Sequence, residues 1–127
     1  PREWRPGSAL SGRRLTKGAF LVTRDKGGMS GCVYVETRGA RGYFGMLAVE
    51  PSRQGSGLGA RLVGLAEQYI REHGGEHMDI RVVNLRTELP PFYGKLAYGE
   101  AGTDRVDEPR ALRPFHFIVM SKRLGAP

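Results

Sequence analysis

The chain has 127 residues, of which 39% are hydrophobic and 26% are charged, and its formal net charge is +7. This length fits one domain with a single core, and the composition is that of a folded chain rather than a disordered one. No apolar run approaches the roughly eighteen residues of a membrane span. The single cysteine, Cys32, excludes an internal disulfide. With a start that lacks a secretory signal, it predicts a cytoplasmic location.

The positive net charge has three possible explanations. The arginines are scattered along the chain rather than gathered in one stripe with aromatic residues, which favours an ordinary solvated basic face. A phosphate-bearing cofactor or an acidic substrate would also favour positive potential around a cleft. A nucleic-acid binder is the least favoured alternative, and it would show salt-dependent binding of DNA or RNA.

Residues 1–18 show little periodicity and predict an irregular N-terminal segment ahead of a domain that spans 19–127. Three strands are then predicted at Ala19–Asp25, Gly31–Thr37 and Tyr43–Val49, because each is rich in branched and aromatic residues. The links between them are short and glycine-rich. Such links favour antiparallel hairpins, since a parallel crossover needs about a dozen residues or more.

A helix is predicted from Leu58 to His73, where apolar residues recur with a helical period before Gly74-Gly75 ends it. The later elements are a strand, a short helix and a final pair of strands: Met78–Val83, Phe92–Ala97, Tyr98–Thr103 and Pro114–Ser121. A long charged loop, Asp104–Arg113, joins the last two strands. The order βββ-α-β-α-ββ predicts an α/β domain.

The most distinctive segment lies between the third strand and the first helix. It consists of Gln54, Gly55, Ser56, Gly57, Leu58, Gly59 and Ala60. Its glycines permit a tight turn and bring backbone N–H groups close to a ligand, and the helix start adds unpaired donors and the positive end of the helix dipole. Backbone of this kind holds a phosphate or pyrophosphate, so the segment predicts a phosphorylated cofactor.

Two patterns fit this loop. One is the dinucleotide fingerprint, Gly55-x-Gly57-x-x-Ala60, with Glu76 or Asp79 at about the right distance for the acidic partner. That fold needs alternating βαβ units, whereas antiparallel hairpins precede the loop here. The dinucleotide pattern is therefore disfavoured.

The other pattern is Gln-x-x-Gly-x-Gly/Ala directly after a Leu-x-Val-x-Pro strand end, Leu47-Ala48-Val49-Glu50-Pro51. A second segment, Pro91-Phe92-Tyr93-Gly94-Lys95-Leu96-Ala97-Tyr98, follows after room for a helix, a strand and a loop. Together the two segments resemble the GCN5-related N-acetyltransferases, the GNAT superfamily, over roughly Ala19 to Leu124.

This resemblance implies an α/β GNAT-type acyl-CoA N-acyltransferase fold, which has a mixed, mostly antiparallel twisted sheet with flanking helices. The family normally opens with a strand and two helices. Because irregular residues 1–18 cannot supply them, we expect these elements to be missing or to come from a partner subunit. The implied activity is acetyl transfer from acetyl-coenzyme A to an amine of a small molecule or protein, by direct attack in a ternary complex. Homodimers are common in the family.

By the same resemblance, the cofactor lies where the fourth and fifth strands of the family splay apart. Its expected contacts are Leu47, Ala48, Val49, Gln54, Gly55, Ser56, Gly57, Leu58, Gly59, Ala60 and Asn84. Backbone N–H groups near Leu47 and Ala48 would hold the oxyanion. Tyr93 is the expected catalytic residue, because a tyrosine with a pKa of about 10 stays protonated at neutral pH and can protonate the leaving thiolate.

The segment also departs from the family pattern. Ala97 stands where the family has glycine, so we expect its left-handed cap to be lost or strained, and Tyr98 conservatively replaces phenylalanine. No general base is identified, because Tyr43 and Gly45 occupy the places where some members carry Glu or His. The substitutes are Glu36, Glu50, Glu100 and His116.

No metal site is expected, because the three histidines have no ligand-like partners in the sequence. Cys32 by itself makes no nucleophilic triad, which favours direct transfer over an acyl-cysteine route. The alternative to an enzyme is a catalytically silent domain that holds acetyl-coenzyme A as a sensor or structural ligand. The missing base favours that alternative, and the Tyr93 segment opposes it.

Overall fold

The computed structural model of the chain describes residues 2–4, 18–105 and 114–125. Within them lie seven strands, two α-helices and one short 3-10 turn, Pro51–Arg53. In chain order the strands and helices are β1 (Arg2–Trp4), β2 (Gly18–Asp25), β3 (Gly28–Arg38), β4 (Arg41–Val49), α1 (Leu58–Glu72), β5 (His77–Val83), α2 (Leu89–Gly94), β6 (Gly99–Arg105) and β7 (His116–Arg123).

All the described strands belong to one sheet, in the order β1-β2-β3-β4-β5-β7-β6. The pairs β1–β2 and β4–β5 are parallel, and the other neighbours are antiparallel. The predicted mixed, mostly antiparallel sheet is therefore confirmed. β3 and β4 begin earlier than predicted because Gly28 and Gly42 lie within strands. At Gly42 a Cβ would stand 2.5 Å from Ile70 Cδ1, so glycine gives α1 room to pack.

The N-terminal expectation needs correction. Arg2–Trp4 is a strand, and it pairs with β2 from Arg2↔Ala19 to Trp4↔Leu21. The segment 1–18 is therefore not irregular throughout, and a strand that the sequence predicts to be missing is present in a short form. The two expected family helices would fall on residues 5–17, which lie outside the described residues.

α1 packs one face against β2, β3 and β4. Its inward side chains recur at helical spacing, as predicted, and they are buried: Leu62, Val63, Ala66, Tyr69 and Ile70. The helix ends where Gly74, at φ 87°, reverses the chain and the Gly75 N–H donates to the Ile70 carbonyl at 2.8 Å. This glycine cap is the reason that the predicted end, at His73, lies within one residue of the observed Glu72.

The second helix differs from its prediction at Phe92–Ala97, because α2 begins at Leu89 and ends at Gly94. Pro90 and Pro91 lie in its first turn, where a missing backbone N–H costs no hydrogen bond. Ala97 then turns the chain at φ 77°. The left-handed cap is thus retained on an alanine, in a strained form.

The last strands also shift from their predicted bounds. β6 runs from Gly99 to Arg105 and so takes in the start of the predicted loop, while residues 106–113 lie outside the described residues. β7 runs from His116 to Arg123, because it pairs with β5 as far as His77↔Arg123. This long ladder makes β7 a central strand of the sheet.

Candidate active site

β4 and β5 pair over only three residue pairs, and the last of these joins Tyr43 to Asp79. Beyond that point β5 stays paired with β7 as far as Val83. Among the described strands, none pairs with residues 44–49 of β4 on the β5 side. The two strands therefore diverge into a cleft. The open edge of β4 offers backbone N–H and C=O groups to an extended ligand.

A β-bulge lies on this open part of β4. Cys32 is opposite Ala48 and Tyr34 is opposite Gly45, so three steps along β4 match two along β3. Met46 lies in the bulge at φ 51°, and it is 64% exposed. A bulge bends its strand and re-aims the residues beyond it. Strained backbone of this kind persists where the surroundings enforce it, often at functional sites.

The bulge lies next to Gly45, a residue type that suits a bulge or a close approach of backbone. A Cβ on Gly45 would stand 2.8 Å from the Tyr43 hydroxyl oxygen, so the glycine leaves room for that ring. The positive φ falls on Met46 instead. No sequence signal marks Met46, because methionine rarely adopts this conformation.

The glycine loop joins the end of β4 to α1. Gly55 and Gly57 have φ angles of 81° and 86°, which favour glycine, whereas Gly59 lies inside the first helical turn. Gly57 is the N-cap and has no side chain to bond the helix start. The N–H groups of Leu58 and Ala60, and of Gly59 between them, therefore have no intrahelical acceptor and can bind an anion.

Charges near the loop favour an anion too. No acidic residue lies in the first turn of α1. Arg53 and Arg61 flank the loop, as the sequence shows, and both line a cavity of about 630 Å³ beside it. Arg53 is paired with Asp25, whereas Arg61 has no ion pair with any described residue. Of the two cations, Arg61 is therefore the one that no carboxylate of the described residues holds.

Tyr93 projects from α2 between Phe44 and Tyr98. Its ring centroid lies 5.9 Å from that of Phe44 and 6.1 Å from that of Tyr98. The side chain is 7% exposed, and among the described residues no hydrogen-bond partner of its hydroxyl is found. Burial raises the pKa of Tyr93 above its ordinary value. The phenol therefore keeps its proton at neutral pH, as a proton donor to a thiolate must.

α2 also brings the glycine loop and Tyr93 together. A Cβ built on Gly59 would lie 3.5 Å from Phe92 Cζ, and the rings of Phe92 and Tyr93 are 4.9 Å apart. The glycine loop and the open part of β4 thus both approach the Tyr93 segment, through Phe92 and Phe44. That they line one donor cleft stays a prediction.

Asn84 lies at the end of β5, and its side chain holds the strand ends together. Its Oδ1 accepts a hydrogen bond from the His116 N–H at 2.9 Å, and its own N–H donates to the His116 carbonyl at 3.0 Å. The side-chain oxygen of Asn84 is therefore already used in a hydrogen bond within the protein. A contact with a cofactor stays a prediction for this residue.

Two of the four substitute bases already accept hydrogen bonds from neighbouring residues. Glu36 accepts a hydrogen bond from the Tyr34 hydroxyl at 3.0 Å, and Glu50 caps the 3-10 turn by accepting from the Ser52 N–H at 2.9 Å. Glu100 is exposed on β6, and the backbone of His116 is bound to Asn84. No general base emerges among the described residues.

Glu67 is a residue that the sequence analysis missed. It is 5% exposed on the buried face of α1, where it accepts hydrogen bonds from the Tyr98 hydroxyl at 2.8 Å and from Lys122 Nζ at 3.0 Å. Tyr98 is therefore more than a conservative replacement of phenylalanine. A carboxylate between the buried Ala66 and Ile70 is unusual in an apolar stripe, and it is the signal that could have pointed to this contact.

In the part of the chain that the structure describes, no group of His, Cys, Asp and Glu side chains could hold a metal ion. No helix of that part is long and apolar enough to cross a membrane.

A family model described as an acetyltransferase (GNAT) domain matches residues 16–99. No curated protein matches the sequence. Among solved structures, nourseothricin acetyltransferase is 24% identical with a TM-score of 0.78, and the match covers 86% of this chain and 66% of that one. The ribosomal-protein-S18-alanine N-acetyltransferase of Escherichia coli is 18% identical with a TM-score of 0.75, and the match covers 90% of this chain and 74% of that one. An aminoglycoside 6'-N-acetyltransferase complexed with coenzyme A is 17% identical with a TM-score of 0.72, and the match covers 89% of this chain and 76% of that one.

At these identities the solved structures establish the fold. The chain spans 66% of the length of nourseothricin acetyltransferase. The family model covers more than half of the chain, and the open β4 edge with the uncapped glycine loop fits a donor that has an amide-bearing arm and a diphosphate. The chain therefore belongs to the GNAT family of acetyltransferases.

Proposed function

We propose that this GNAT domain transfers the acetyl group of acetyl-coenzyme A to an amine by direct attack within a ternary complex. One observation carries the proposal. β4 and β5 diverge after the pair Tyr43↔Asp79. From the open edge of β4 the chain continues through the glycine loop to the uncapped start of α1. An acyl donor with a peptide-like arm and a diphosphate matches both features.

The donor would be held mainly by backbone. Leu47, Ala48 and Val49 would pair with the amides of its arm, as an added strand does. The loop from Gln54 to Ala60 would receive the diphosphate, and Arg61 would add positive charge. Asn84 would contribute through the side-chain NH₂, because its Oδ1 is bound to His116.

The bound donor supplies an acetyl thioester and a thiolate leaving group. A neutral amine nitrogen attacks the carbonyl carbon and forms the new C–N bond as the C–S bond breaks. Backbone N–H groups near Leu47 and Ala48 would stabilise the negative charge on the carbonyl oxygen. The Tyr93 phenol would give its proton to the departing sulfur. Since the described residues offer no general base, water would take the proton of the amine.

The acceptor would reach the cleft from the sheet face opposite α1. Gly42 faces α1, so strand alternation points its neighbour Tyr43 to the other face. There Tyr43, Asp79 and Arg81 help to line a cavity of about 290 Å³. Arg38 and Arg41 line it too, and Asp79 is paired with Arg41, so the cavity carries no net negative charge and does not select for a cationic amine.

The identity of the amine can be narrowed with the named activities of the similar structures. Nourseothricin, an aminoglycoside and a peptide with an N-terminal alanine form a first acceptor panel. A small molecule and a protein terminus are both compatible with the open cavity. Homodimer formation and a cytoplasmic location stay predictions.

Calorimetric titration of acetyl-coenzyme A tests the donor site. The variant Gly57→Glu would place a negative side chain at φ 86° in the loop, and we expect it to abolish the micromolar binding of the unmodified chain. Gly39→Glu is the matched control, because Gly39 also has a positive φ, 63°, and open space around it, but lies in the β3–β4 turn. Equal loss in both variants would contradict the proposed site.

Thiol release separates an enzyme from a silent donor-binding domain. We expect at least one amine of the panel to accelerate the release of coenzyme A, and Tyr93→Phe to slow it while donor binding is unchanged. Binding without accelerated release for any amine would favour a sensor or structural role.

A further inference from the structure

Two consecutive residues after α2 depart from the glycine–phenylalanine pattern of the family, and the structure connects them. Ala97 adopts a left-handed conformation at φ 77°, which an alanine adopts only under constraint. The next residue, Tyr98, is anchored at both ends. Its N–H donates to the Tyr93 carbonyl at 3.1 Å, and its hydroxyl donates to Glu67 Oε2 at 2.8 Å.

The anchor on α1 is a buried ionic cluster. The Glu67 side chain is 7% exposed, and Lys122 Nζ on β7 donates to both of its carboxylate oxygens, at 3.0 and 3.1 Å. Arg71, one turn further along α1, lies 3.7 Å from Glu67 Oε1. The Tyr98 hydroxyl completes the set, so the carboxylate joins α1, β7 and the segment that follows α2.

This cluster lies directly behind Tyr93. The rings of Tyr93 and Tyr98 are 6.1 Å apart, and both meet Phe44 edge to face, at 5.9 and 6.0 Å. The Tyr93 carbonyl also accepts from the Leu96 N–H at 2.9 Å. The backbone and the ring of Tyr93 are thus both held by the residues that turn the chain after α2.

We propose that Glu67, Lys122 and Tyr98 are positioning residues for Tyr93, and that their bonds hold the strained Ala97 turn so that the Tyr93 hydroxyl faces the cleft. The inference rests on the proposed function, in which Tyr93 protonates the leaving thiolate. It adds a role for two positions where this chain departs from its family pattern. Tyr98 supplies the hydroxyl that phenylalanine lacks.

Buried ion pairs support this role better than a purely stabilising one. Removing charges from water offsets most of what their attraction contributes, so such pairs are weak sources of stability. They do fix geometry, because each partner needs the other at hydrogen-bonding distance. Glu67 meets three groups from two other parts of the chain and from its own helix, which defines one position for the Tyr98 hydroxyl.

Hydrogen exchange measures the hold on the turn without any substrate. We expect the amide of residue 98, which donates to Tyr93, to exchange at least fivefold faster in Tyr98→Phe and in Glu67→Gln. The control is Tyr69→Phe, which removes the hydroxyl of a different buried tyrosine, on α1. In this variant the amide of residue 98 should exchange at the same rate as in the unmodified chain. Unchanged exchange in both test variants would overturn the proposal.

A reversion gives a second, independent measurement. In an Ala97→Gly background the turn is no longer strained, so Tyr98→Phe should accelerate exchange of the same amide by less than twofold. An equal acceleration in the alanine and glycine backgrounds would mean that the hydroxyl does not hold the turn, and this result would also overturn the proposal.

Kinetics tests the link to catalysis, with the amine of the panel that releases coenzyme A fastest. Tyr98→Phe should lower kcat at least tenfold with little change in the KM for acetyl-coenzyme A, and should have no further effect in a Tyr93→Phe background. An equal loss in both backgrounds would indicate a merely structural role. If Tyr93→Phe lowers kcat but Tyr98→Phe does not, only this inference fails. If Tyr93→Phe itself leaves kcat unchanged, the proposed acid role fails.

Discussion

At the residue scale, two tyrosines of one segment have opposite surroundings. The Tyr98 hydroxyl is bound to a buried carboxylate, and burial together with that charge raises the pKa of Tyr98 far above its ordinary value. The Tyr93 hydroxyl has no partner among the described residues, and burial alone raises its pKa. Only Tyr93 combines a retained proton with a free hydroxyl, so it is the better proton donor of the two.

This difference predicts the alkaline behaviour of the enzyme. Because burial raises the pKa of Tyr93 above its ordinary value, its protonated form dominates at neutral and mildly alkaline pH. We expect kcat for thiol release not to fall between about pH 7 and pH 9. We expect Tyr93→Phe to lower kcat about 100-fold at every pH of this range. A fall in kcat near pH 9 that is absent from Tyr93→Phe would contradict the effect of burial.

Two residues with positive φ could not be predicted from the sequence. Met46 and Ala97 have side chains that disfavour the left-handed region, so their residue types give no indication of it. Ala97 was suspected only because its family pattern has glycine there. Both conformations are imposed from outside, by the β3–β4 register and by the bonds of Tyr98, and such non-local constraints have no signature in a short stretch of sequence.

At the element scale, predictability follows the strength of the local signals. α1 was predicted to within one residue, because its apolar period and its Gly74 cap are both local. α2 was shifted by three residues at each end, because two prolines can open a helix as well as precede it. The sequence predicts Gly28 and Gly42 to lie in the loops between strands, because glycine is common in turns. Gly42 lies inside β4 instead, since only glycine leaves room for α1 to pack there.

The packing of α1 on β4 gives a prediction at this scale. In Gly42→Ala the new Cβ would meet Ile70 Cδ1 at 2.5 Å and force the helix away from the strand. We expect the free energy of unfolding to fall by about 1–3 kcal/mol, measured by chemical denaturation.

Gly64→Ala is the matched control for this experiment. Gly64 is an exposed position of α1 with open space around it, so alanine should raise the free energy of unfolding by about 0.5–1 kcal/mol through helix propensity. Similar losses in both variants would show that the contact with Ile70 is not the cause.

At the scale of the whole molecule, the sheet consists of two parts joined by three residue pairs. β1 to β4 form one part, and β5, β7 and β6 form the other. An ion pair reinforces the junction: Arg41 on β4 donates to both oxygens of Asp79 on β5 at 2.7 Å. Ser121 on β7 donates to the same carboxylate. The junction therefore depends on an ionised aspartate.

The bonds from Arg41 lower the pKa of Asp79 below its ordinary value. A carboxyl whose pKa is lower in the folded state stabilises the fold above its unfolded pKa of about 3.9, and this contribution is lost as the pH falls through the folded value. We expect Asp79→Asn to lower the free energy of unfolding by roughly 1 kcal/mol at pH 7, a figure reduced for partial exposure. When chemical denaturation is repeated at decreasing pH, the difference in free energy of unfolding between the variant and the unmodified chain should vanish at the most acidic pH values.

Glu88→Gln provides the comparison for this measurement. Its carboxylate pairs with Arg86 on the surface, and screening by water makes such a pair weak. The variant should change the free energy of unfolding much less than Asp79→Asn at neutral pH, although hydrogen bonds lower the pKa of Glu88 too. A pH-independent loss in Asp79→Asn would show that the aspartate acts through its shape and not through its charge.

The family and its donor were predictable because two short segments carry them, Gln54 to Ala60 and the run around Tyr93. The place of the cleft between β4 and β5 followed from the resemblance. Its extent did not, because it depends on how far β5 follows β4 before turning to β7, and register between distant strands is set by the whole sheet. The N-terminal strand was missed for the same reason, since three residues pair with β2 only in the folded chain.

The open edge of β4 has a cost when no donor is bound. An unpaired strand edge is a template on which another polypeptide can add a strand, and this is a route to aggregation. The bulge at Met46 interrupts the regular spacing of N–H and C=O groups along that edge. The irregularity that would turn β4 towards a small donor thus also makes the strand a poor match for a straight strand from another polypeptide.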